Sequence, residues 1–310
     1  MESLNRMAIE LVDEALEFVD ELAIDAIELD NDATVLDFGV DVDGGIEAGL
    51  LLTEIQTAGL ATLGTRMDAV GDVPLVHVDL TTDQPGLALL CAQKAGWEVS
   101  VNGFEGLGSG PARALVGQET AFESVGYHDA FDLTVLALEA DELPDEAVAK
   151  HVADLADVEP SGVFLPTFRT ASLVGSVSTA ARAAELAVFR LAELGYDPND
   201  VLTASSSAPV APVAGDEETA MGRTNDALAY GSQVSLTVRE DFDRFDQVPS
   251  SATEEYGRPF EAIFADADWD FYEIPESVFA PAQVTIDVLG GPTHALGERE
   301  ESILLDSFRL

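Results

Sequence analysis

The chain has 310 residues, of which 59 are acidic and 14 are basic, so its formal net charge is −45. A hydrophobic fraction of 47% excludes a disordered acidic chain. No apolar run reaches the roughly 18 residues that a bilayer-spanning helix needs, and the lack of a basic stripe argues against nucleic-acid binding.

The acidic residues recur along the whole chain, and the only lysines are Lys94 and Lys150. A charge of this size destabilises the compact state by self-repulsion in dilute buffer, whereas about 1 M salt shortens the Debye length to about 3 Å. We interpret the composition as adaptation to a salt-rich cytoplasm; a nucleic-acid mimic and an acidic binding surface are the alternatives. The N-terminal segment lacks the basic start and cleavage site of a signal peptide, which predicts a cytoplasmic protein.

Strands and helices are predicted to alternate along the chain. Helices are expected at 2–22, 46–58, 85–95, 145–156, 173–195, 217–230, 251–264 and 300–308. Strands are expected at 33–39, 60–65, 74–80, 97–101, 131–138, 232–238 and 283–289, with another at 202–214 that runs into a loop. This alternation predicts an α/β protein with mixed sheets and packed helices. Two domains are expected, at 1–157 and 158–310, with an approximate boundary that allows discontinuous domains.

The helix predicted at 173–195 carries an acid and a base on one face. Arg182 and Glu185 are three residues apart and therefore point the same way, and the alanines around them make the helix thin enough for a flat ligand to approach. Ser176 or Ser178 is the expected N-cap, and Gly195 the expected left-handed residue at the C-terminus. Spacing alone favours a surface salt bridge over a catalytic pair.

Two further stretches combine small and polar residues. In GLGSGPAR at 106–113, glycines follow a predicted strand and could bring backbone amides close to an anion next to Arg113, although Pro111 breaks the dinucleotide-binding spacing. In GRTND at 222–226, side-chain amide and guanidinium groups could bind the edge of a heterocycle. An ordinary glycine turn and helix capping are the alternative interpretations.

Several other classes of site have no support. The four histidines do not share a metal-ligand spacing, and His77 is predicted to be an ordinary core histidine in an apolar strand. Cys91, the only cysteine, allows no intrachain disulfide and is a predicted core residue. The G-x-S-x-G pattern of serine hydrolases is absent.

Three blocks taken together, in order along the chain, resemble the methenyltetrahydromethanopterin cyclohydrolase family, here of a halophilic archaeal type. They are GSGPARAL at 108–115, RTASLVGSVSTAARAAELAVFRL at 169–191 and GRTNDALAYG at 222–231. The resemblance implies two α/β domains with a pocket between them, usually in a homotrimer, and no metal or bound cofactor. It implies a hydrolase acting on a cyclic amidine: water opens the methenyl bridge of the tetrahydromethanopterin derivative reversibly to the 5-formyl product.

The family's acid–base glutamate and its arginine partner fall on Glu185 and Arg182. The resemblance also places the glycine loop and the GRTND block along the substrate pocket, and the residues expected there are Gly108, Ser109, Gly110, Arg113, Arg223, Asn225 and Asp226. There are three alternatives. The first is the same chemistry on a tetrahydrofolate carrier, and the second is a catalytically inactive pterin-binding protein or a structural subunit of a one-carbon complex. The third is a generic phosphate-binding enzyme that uses the loop at 106–110. The direction of flux does not follow from the sequence.

Overall fold

A computed structural model describes residues 2–269 and 273–310. The helices are α1 Leu4–Glu17, α2 Val19–Leu22, α3 Ile46–Gln56, α4 Ala112–Val116, α5 Thr120–Val125, α6 Glu146–Ala156, α7 Leu173–Ala180, α8 Ala183–Glu193, α9 Glu217–Asp226, α10 Phe260–Asp266 and α11 Glu301–Phe308, with π-helices at Gly86–Gln93 and Ala227–Gly231. The strands are β1 Asp25–Glu28, β2 Thr34–Asp37, β3 Thr62–Val70, β4 Val73–Thr82, β5 Ala95–Val101, β6 Phe104–Ser109, β7 Thr134–Val135, β8 Ala137–Glu139, β9 Val163–Phe168, β10 Val201–Pro209, β11 Gln233–Val238, β12 Gln283–Val288 and β13 Thr293–Gly297.

The chain divides into two compact units that are both discontinuous. Unit 1 comprises Met1–Ala61 and Leu87–Ser178, and unit 2 comprises Thr62–Gly86 and Thr179–Leu310. This division differs from the boundary expected at 157–158, and backbone pairing is the reason. The β3–β4 hairpin pairs with β10 and so belongs to unit 2, whereas β9 pairs with β2 and β8 and keeps the chain in unit 1 beyond residue 158.

Unit 1 is built on a mixed sheet with the order β1-β2-β9-β8-β6-β5, in which β7 also pairs with β9. Strands β2, β9 and β8 are parallel neighbours, while β1, β6 and β5 are antiparallel to the strands they join. One cluster of buried side chains includes Leu4 and Val12 from α1 and Leu52 from α3. A second includes Val148 and Val152 from α6. Both clusters therefore rest on amphipathic helices that the periodicity predicts.

Unit 2 contains a six-stranded mixed sheet with the order β13-β12-β11-β10-β4-β3, in which only β11 and β12 are parallel. Helix α8 packs against β10 and β11. A separate aromatic core joins Tyr230, Phe260, Phe264 and Phe308, all of which are at most 2% exposed. Two mixed sheets with packed helices confirm the predicted α/β class.

Most predicted elements are found, with shifted ends. The expected strand at 60–65 extends through Val70, and the helix at 251–264 is limited to α10 with a short 3₁₀ turn at Ser250–Ala252. His77 and Cys91 are buried as predicted. Burial lowers the pKa of His77 and raises the pKa of the Cys91 thiol to about 12, so both side chains are kept neutral. Among the described residues, no helix combines the length and apolarity needed to cross a bilayer.

Candidate active site at the break between two helices

The single helix predicted at 173–195 is two helices, because the α-helical pattern breaks between Ala180 and Ala183. The Arg182 amide donates to the Thr179 carbonyl at 2.9 Å, which closes a tight three-residue turn, and the Arg182 carbonyl then accepts from Leu186 at 3.0 Å. Arg182 is thus the N-cap residue of α8, and Glu185 lies in its first turn. A carboxylate is favoured there by the helix dipole.

Glu185 is a buried carboxylate that contacts Arg182. Its side chain is 4% exposed, and its Oε2 atom lies 2.6 Å from Nη2 of Arg182, which is 13% exposed. The same Oε2 atom accepts no well-aligned hydrogen bond from a described residue. The contact is therefore an ion pair whose N–H groups are poorly directed at the carboxylate. A buried carboxylate left with spare accepting capacity is costly to keep unless a ligand uses it.

The alanine-rich face of α8 is a packing face in this structure. Ala183, Ala184 and Ala187 are completely buried, as is Val188, and the helix contacts two strands of its sheet. Gly195 has a positive φ of 88° and closes the end of the helix as expected. The expected N-caps are wrong: Ser172 caps α7 by accepting the Gly175 amide at 2.9 Å, whereas Ser176 and Ser178 lie inside the helix.

The glycine stretch at 106–110 is mostly strand β6 and not a loop. A Cβ atom on Gly108 would lie 3.1 Å from side-chain atoms of Leu136 and Trp97, so this glycine permits close strand packing. Only Gly110 adopts a left-handed backbone, with φ of 106°, and its amide donates to the Ala92 carbonyl at 2.9 Å. Gly108, Ser109 and Gly110 therefore form the end of a buried strand and the turn that follows it.

Ser109 belongs to a buried polar chain that the sequence did not suggest. The Gln56 amide donates to the Ser109 hydroxyl at 3.0 Å, and the Ser178 hydroxyl donates to the Gln56 carbonyl oxygen at 3.0 Å. All three side chains are at most 3% exposed. The contacts join α3, β6 and α7, which are separated by 53 and 122 residues, so no local pattern could reveal them.

Arg113 is completely buried inside unit 1. Its guanidinium donates to both carboxylate oxygens of Glu119 at 2.7 Å and to the carbonyls of Leu90 and Ala92 at 3.1 Å. Burial is the largest single influence on the pKa of Glu119 and raises it. The hydrogen bonds and the charge of the Arg113 guanidinium lower this pKa, and the net result is a pKa below its usual value. These contacts hold together the π-helix, α4 and α5, and they occupy the guanidinium that was expected to face a ligand.

The GRTND block forms the C-terminal half of α9 and is mostly buried. Arg223 donates to the carbonyls of Ser307 and Pro212 at 3.1 Å, and the Asn225 amide donates back to Met221 at 2.9 Å. Thr224 likewise donates to the carbonyl four residues earlier, so neither Thr224 nor Asn225 is a helix N-cap; that position is Asp216. These side chains stabilise the α9 region through backbone carbonyls.

Asp226 is completely buried and accepts two hydrogen bonds, from the Phe260 amide at 2.9 Å and from the Ser307 hydroxyl at 2.6 Å. It therefore fixes the start of α10 and the end of α11 against α9. Burial raises the pKa of Asp226 to about 7, and the two donors oppose this shift only in part.

We expect Asp226→Asn to remove part of the pH dependence of unfolding. Because its folded-state pKa lies above the unfolded value, the native protein retains a proton that the unfolded chain loses. Protonated Asp226 therefore contributes on the order of a few kcal/mol to the free energy of unfolding. This contribution is complete below about pH 4 and is lost as the pH rises to 7. Urea unfolding in molar KCl at pH 5 and pH 8 should show a smaller difference for the variant, and parallel pH profiles would contradict the assignment.

Among the described residues, no group of three histidine, cysteine, aspartate or glutamate side chains is arranged to hold a metal ion.

Comparisons with known proteins place the chain, with its two α/β units, in a defined family. The family described as Cyclohydrolase (MCH) matches residues 3–308, so the chain belongs to the cyclohydrolase (MCH) family. The relatives are methenyltetrahydromethanopterin cyclohydrolases. The protein of that name from Halobacterium salinarum (strain ATCC 29341 / DSM 671 / R1) is 62% identical over 310 residues, with the whole of both chains covered.

More distant relatives carry the same name. The Methanothermobacter marburgensis protein is 42% identical over 320 residues and 100% of both chains. The Methanocella arvoryzae protein is 40% identical over 315 residues, which are 99% of this chain and 98% of the relative. The resemblance carried by the three sequence blocks is therefore confirmed over nearly the full chain.

Proposed function

We propose that this protein reversibly hydrolyses the methenyl bridge of 5,10-methenyltetrahydromethanopterin to 5-formyltetrahydromethanopterin. The observation that carries the proposal is the Glu185 carboxylate, which is buried beside Arg182 with an oxygen that no described residue satisfies. Family membership and the names of its relatives supply the substrate. The proposal needs no metal or resident cofactor, since the carbon of the cationic bridge is already electrophilic.

Glu185 is the proposed acid–base group. As water adds to the methenyl carbon, its carboxylate accepts one proton from the water and a hydroxyl remains on the carbon. The same proton then passes to N10 as the C–N10 bond breaks. The hydroxyl proton leaves through Glu185 as the formyl carbonyl forms, and it is released to solvent. One carboxylate can serve each step in turn, and such catalysis contributes about 10²–10⁴-fold.

Arg182 is the proposed positioning partner. A cation beside a cationic substrate is unfavourable unless it has another role, and its 2.6 Å contact with Glu185 supports a positioning role. It holds the carboxylate in place and stabilises negative charge that develops on the added oxygen. The carboxylate in turn offsets the positive charge of the bound pterin.

The remaining candidates receive different roles within the proposal. Gly108, Ser109 and Gly110 are proposed to line the substrate site, since the end of a strand can offer backbone groups to a ligand. Arg113, Arg223 and Asp226 are proposed to support the site by holding its surrounding backbone, because their polar atoms have intramolecular partners. Asn225 is partly exposed and is retained as a proposed contact for the pterin edge.

The family resemblance and the composition support a proposal for the oligomeric state and the cellular setting. We propose a homotrimer in a salt-rich cytoplasm, supported by the family resemblance and by a net charge of −45. A full-length match at 62% identity to a protein from Halobacterium salinarum also supports the salt-adapted setting.

The proposed function is tested with the purified protein and two methenyl carriers in molar KCl. Loss of the methenyl absorbance should be faster with methenyltetrahydromethanopterin, and its kcat/KM should exceed that for methenyltetrahydrofolate by about 10-fold or more, the equivalent of one lost charge-assisted hydrogen bond. Turnover of neither carrier would reject the proposed activity. A preference for the folate carrier would reject the proposed substrate.

A further inference from the structure

A buried serine of unit 2 has a hydroxyl group without a partner. Ser206 lies in β10 and is 8% exposed. Its Oγ atom is buried and forms no hydrogen bond with any residue that the structure describes. A hydroxyl buried without a partner lowers the stability of a fold, and such groups are rare in native proteins. This cost favours a functional role for the Ser206 hydroxyl.

The two neighbouring serines show what a hydroxyl on this strand normally does. Ser205 and Ser207 are half-buried. The Oγ atom of Ser205 accepts a hydrogen bond from the Thr81 hydroxyl at 3.2 Å, and the Oγ atom of Ser207 accepts one from Arg66 at 2.9 Å. Successive side chains of a strand point to opposite faces of the sheet. Of the three serines at 205–207, Ser206 therefore faces the other way, toward the buried side of the sheet.

Helix α8 covers the face of the sheet on which Ser206 lies. Ser206 pairs with Leu80 of β4 and with Val234 of β11, which are at most 4% exposed, and side chains of such cross-strand pairs share a face. The helix packs against β10 and β11, and its Ala187 and Val188 are completely buried. Because the opposite face carries half-exposed serines, the buried side of α8 lies on the Ser206 face.

Glu185 and Ser206 lie at similar levels along the helix and the strand. The linker at 194–200 joins α8 to β10, on which the helix packs, so the two elements run antiparallel. With a rise of about 1.5 Å per residue, Glu185 lies about 12 Å before the last residue of α8. With a rise of about 3.3 Å per residue, Ser206 lies about 17 Å beyond the first residue of β10. Helical side chains tilt toward the N-terminus, which carries the Glu185 carboxylate further toward the level of Ser206.

The Glu185 carboxylate is on the side of α8 that faces the sheet. Val188, three residues later and completely buried, shares a helix face with Glu185. The Oε2 atom of Glu185, like the Oγ atom of Ser206, is buried and accepts no well-aligned hydrogen bond from the described part of the chain. The space between α8 and β10 thus receives one oxygen that accepts hydrogen bonds and one hydroxyl that can also donate.

A donor and an acceptor at the same level suit a single water molecule. A buried water is held by about 2–4 polar partners. A water that donates one proton to Glu185 and accepts a hydrogen bond from Ser206 keeps its second lone pair for an electrophilic carbon. Arg182, which contacts Glu185 at 2.6 Å, then fixes the carboxylate that receives the proton.

We propose that the Ser206 hydroxyl binds the water that adds to the methenyl carbon. The inference rests on the proposed function and deepens it by adding a residue of unit 2 that orients the nucleophile. Ser206 donates a hydrogen bond to the water oxygen before the attack and to the same oxygen in the product. It neither gains nor loses a proton, so the proton transfers remain those assigned to Glu185.

The test compares Ser206→Ala with the control Ser205→Ala, which removes the adjacent, half-exposed hydroxyl on the opposite face. KM and kcat are measured with methenyltetrahydromethanopterin in molar KCl. We expect Ser206→Ala to lower kcat about 10-fold, the effect of one lost hydrogen bond, while KM changes less than about 2-fold because the hydroxyl binds water and not the pterin. Ser205→Ala should leave both constants unchanged.

Thermal unfolding separates this role from a structural one. Because the Ser206 hydroxyl has no partner in the described structure, Ser206→Ala should melt at or above the wild-type temperature. A lower melting temperature, or failure of the variant to fold, would show a structural role and overturn the assignment. A wild-type kcat, or a raised KM with unchanged kcat, would overturn it as well while leaving the proposed function intact. Absence of wild-type turnover would reject both.

A second measurement asks whether Ser206 and Glu185 act on the same water. Once Glu185→Gln has removed the proton acceptor, orienting the water has little further value. Adding Ser206→Ala to Glu185→Gln should therefore lower kcat by less than about 3-fold. A full additional loss, equal to that of Ser206→Ala in the wild-type background, would contradict the shared water.

Discussion

The Glu185→Gln variant is expected to fold, to bind the methenyl substrate, and to lose about 10²–10⁴-fold in kcat. Glutamine has nearly the same shape as glutamate and preserves the buried position in the first turn of α8. It cannot accept the proton of the attacking water or return that proton to N10. Stopped-flow loss of the methenyl absorbance measures the effect directly, and substrate binding is checked by equilibrium titration.

The matched control is Glu193→Gln, which changes the same charge at the exposed last residue of the same helix. It should retain wild-type kcat. If Glu185→Gln turns over at a near-normal rate, the carboxylate is not the acid–base group and the assignment fails. If both variants lose activity equally, the loss reflects the charge of the helix and not the chemistry at Glu185.

Transfer into dilute buffer is expected to destabilise the protein strongly. The chain carries 59 acidic and 14 basic residues, and single arginines such as Arg66 and Arg258 each already contact two carboxylates. Salt weakens these exposed ion pairs, which are worth about 0–1 kcal/mol each, but it also screens the repulsion among a far larger excess of negative charges. The second effect dominates.

The melting temperature in 1 M KCl should exceed that in a buffer of about 10 mM ionic strength by roughly 10 °C. At about 2–4 °C per kcal/mol, this difference corresponds to about 3–5 kcal/mol in the free energy of unfolding. Most of the rise should occur below about 0.5 M, as the Debye length falls below the spacing of surface charges. Sucrose serves as the control for general exclusion from the protein surface and should not reproduce this early rise. Equal melting temperatures in the two buffers would disprove salt adaptation.

The periodicity of the sequence predicts the elements better than it predicts their breaks. Val177, Ala181, Ala184 and Val188 keep helical spacing across the region where α7 ends and α8 begins. The interruption depends on a single tight turn at Arg182, whose amide bonds to a residue three positions earlier. A break of only two residues between α7 and α8 leaves the apolar pattern intact, although it decides where the proposed catalytic pair is placed.

The glycine stretch shows why a local motif can suggest the wrong contact. Glycines after a predicted strand are typical of an anion-binding loop, but Gly108 is needed because Leu136 and Trp97 pack over it. The partners that bury Arg113 include carbonyls 21 and 23 residues away. Such contacts depend on the tertiary fold, so the spacing of residues around Arg113 could not reveal them.

The site itself was predicted mainly by comparison of sequence blocks. Spacing placed Arg182 and Glu185 on one face, yet it favoured a surface salt bridge, and burial is what distinguishes the observed pair.

A double-mutant cycle on kcat/KM tests most directly whether Arg182 and Glu185 act as one catalytic unit. The wild-type protein, Arg182→Lys, Glu185→Gln and the double variant are assayed with methenyltetrahydromethanopterin in molar KCl. Because the arginine is proposed to act through the carboxylate, adding Arg182→Lys to Glu185→Gln should cost less than about 3-fold, even though Arg182→Lys alone should cost at least about 10-fold. Fully additive losses, or near-wild-type activity in either single variant, would contradict the account.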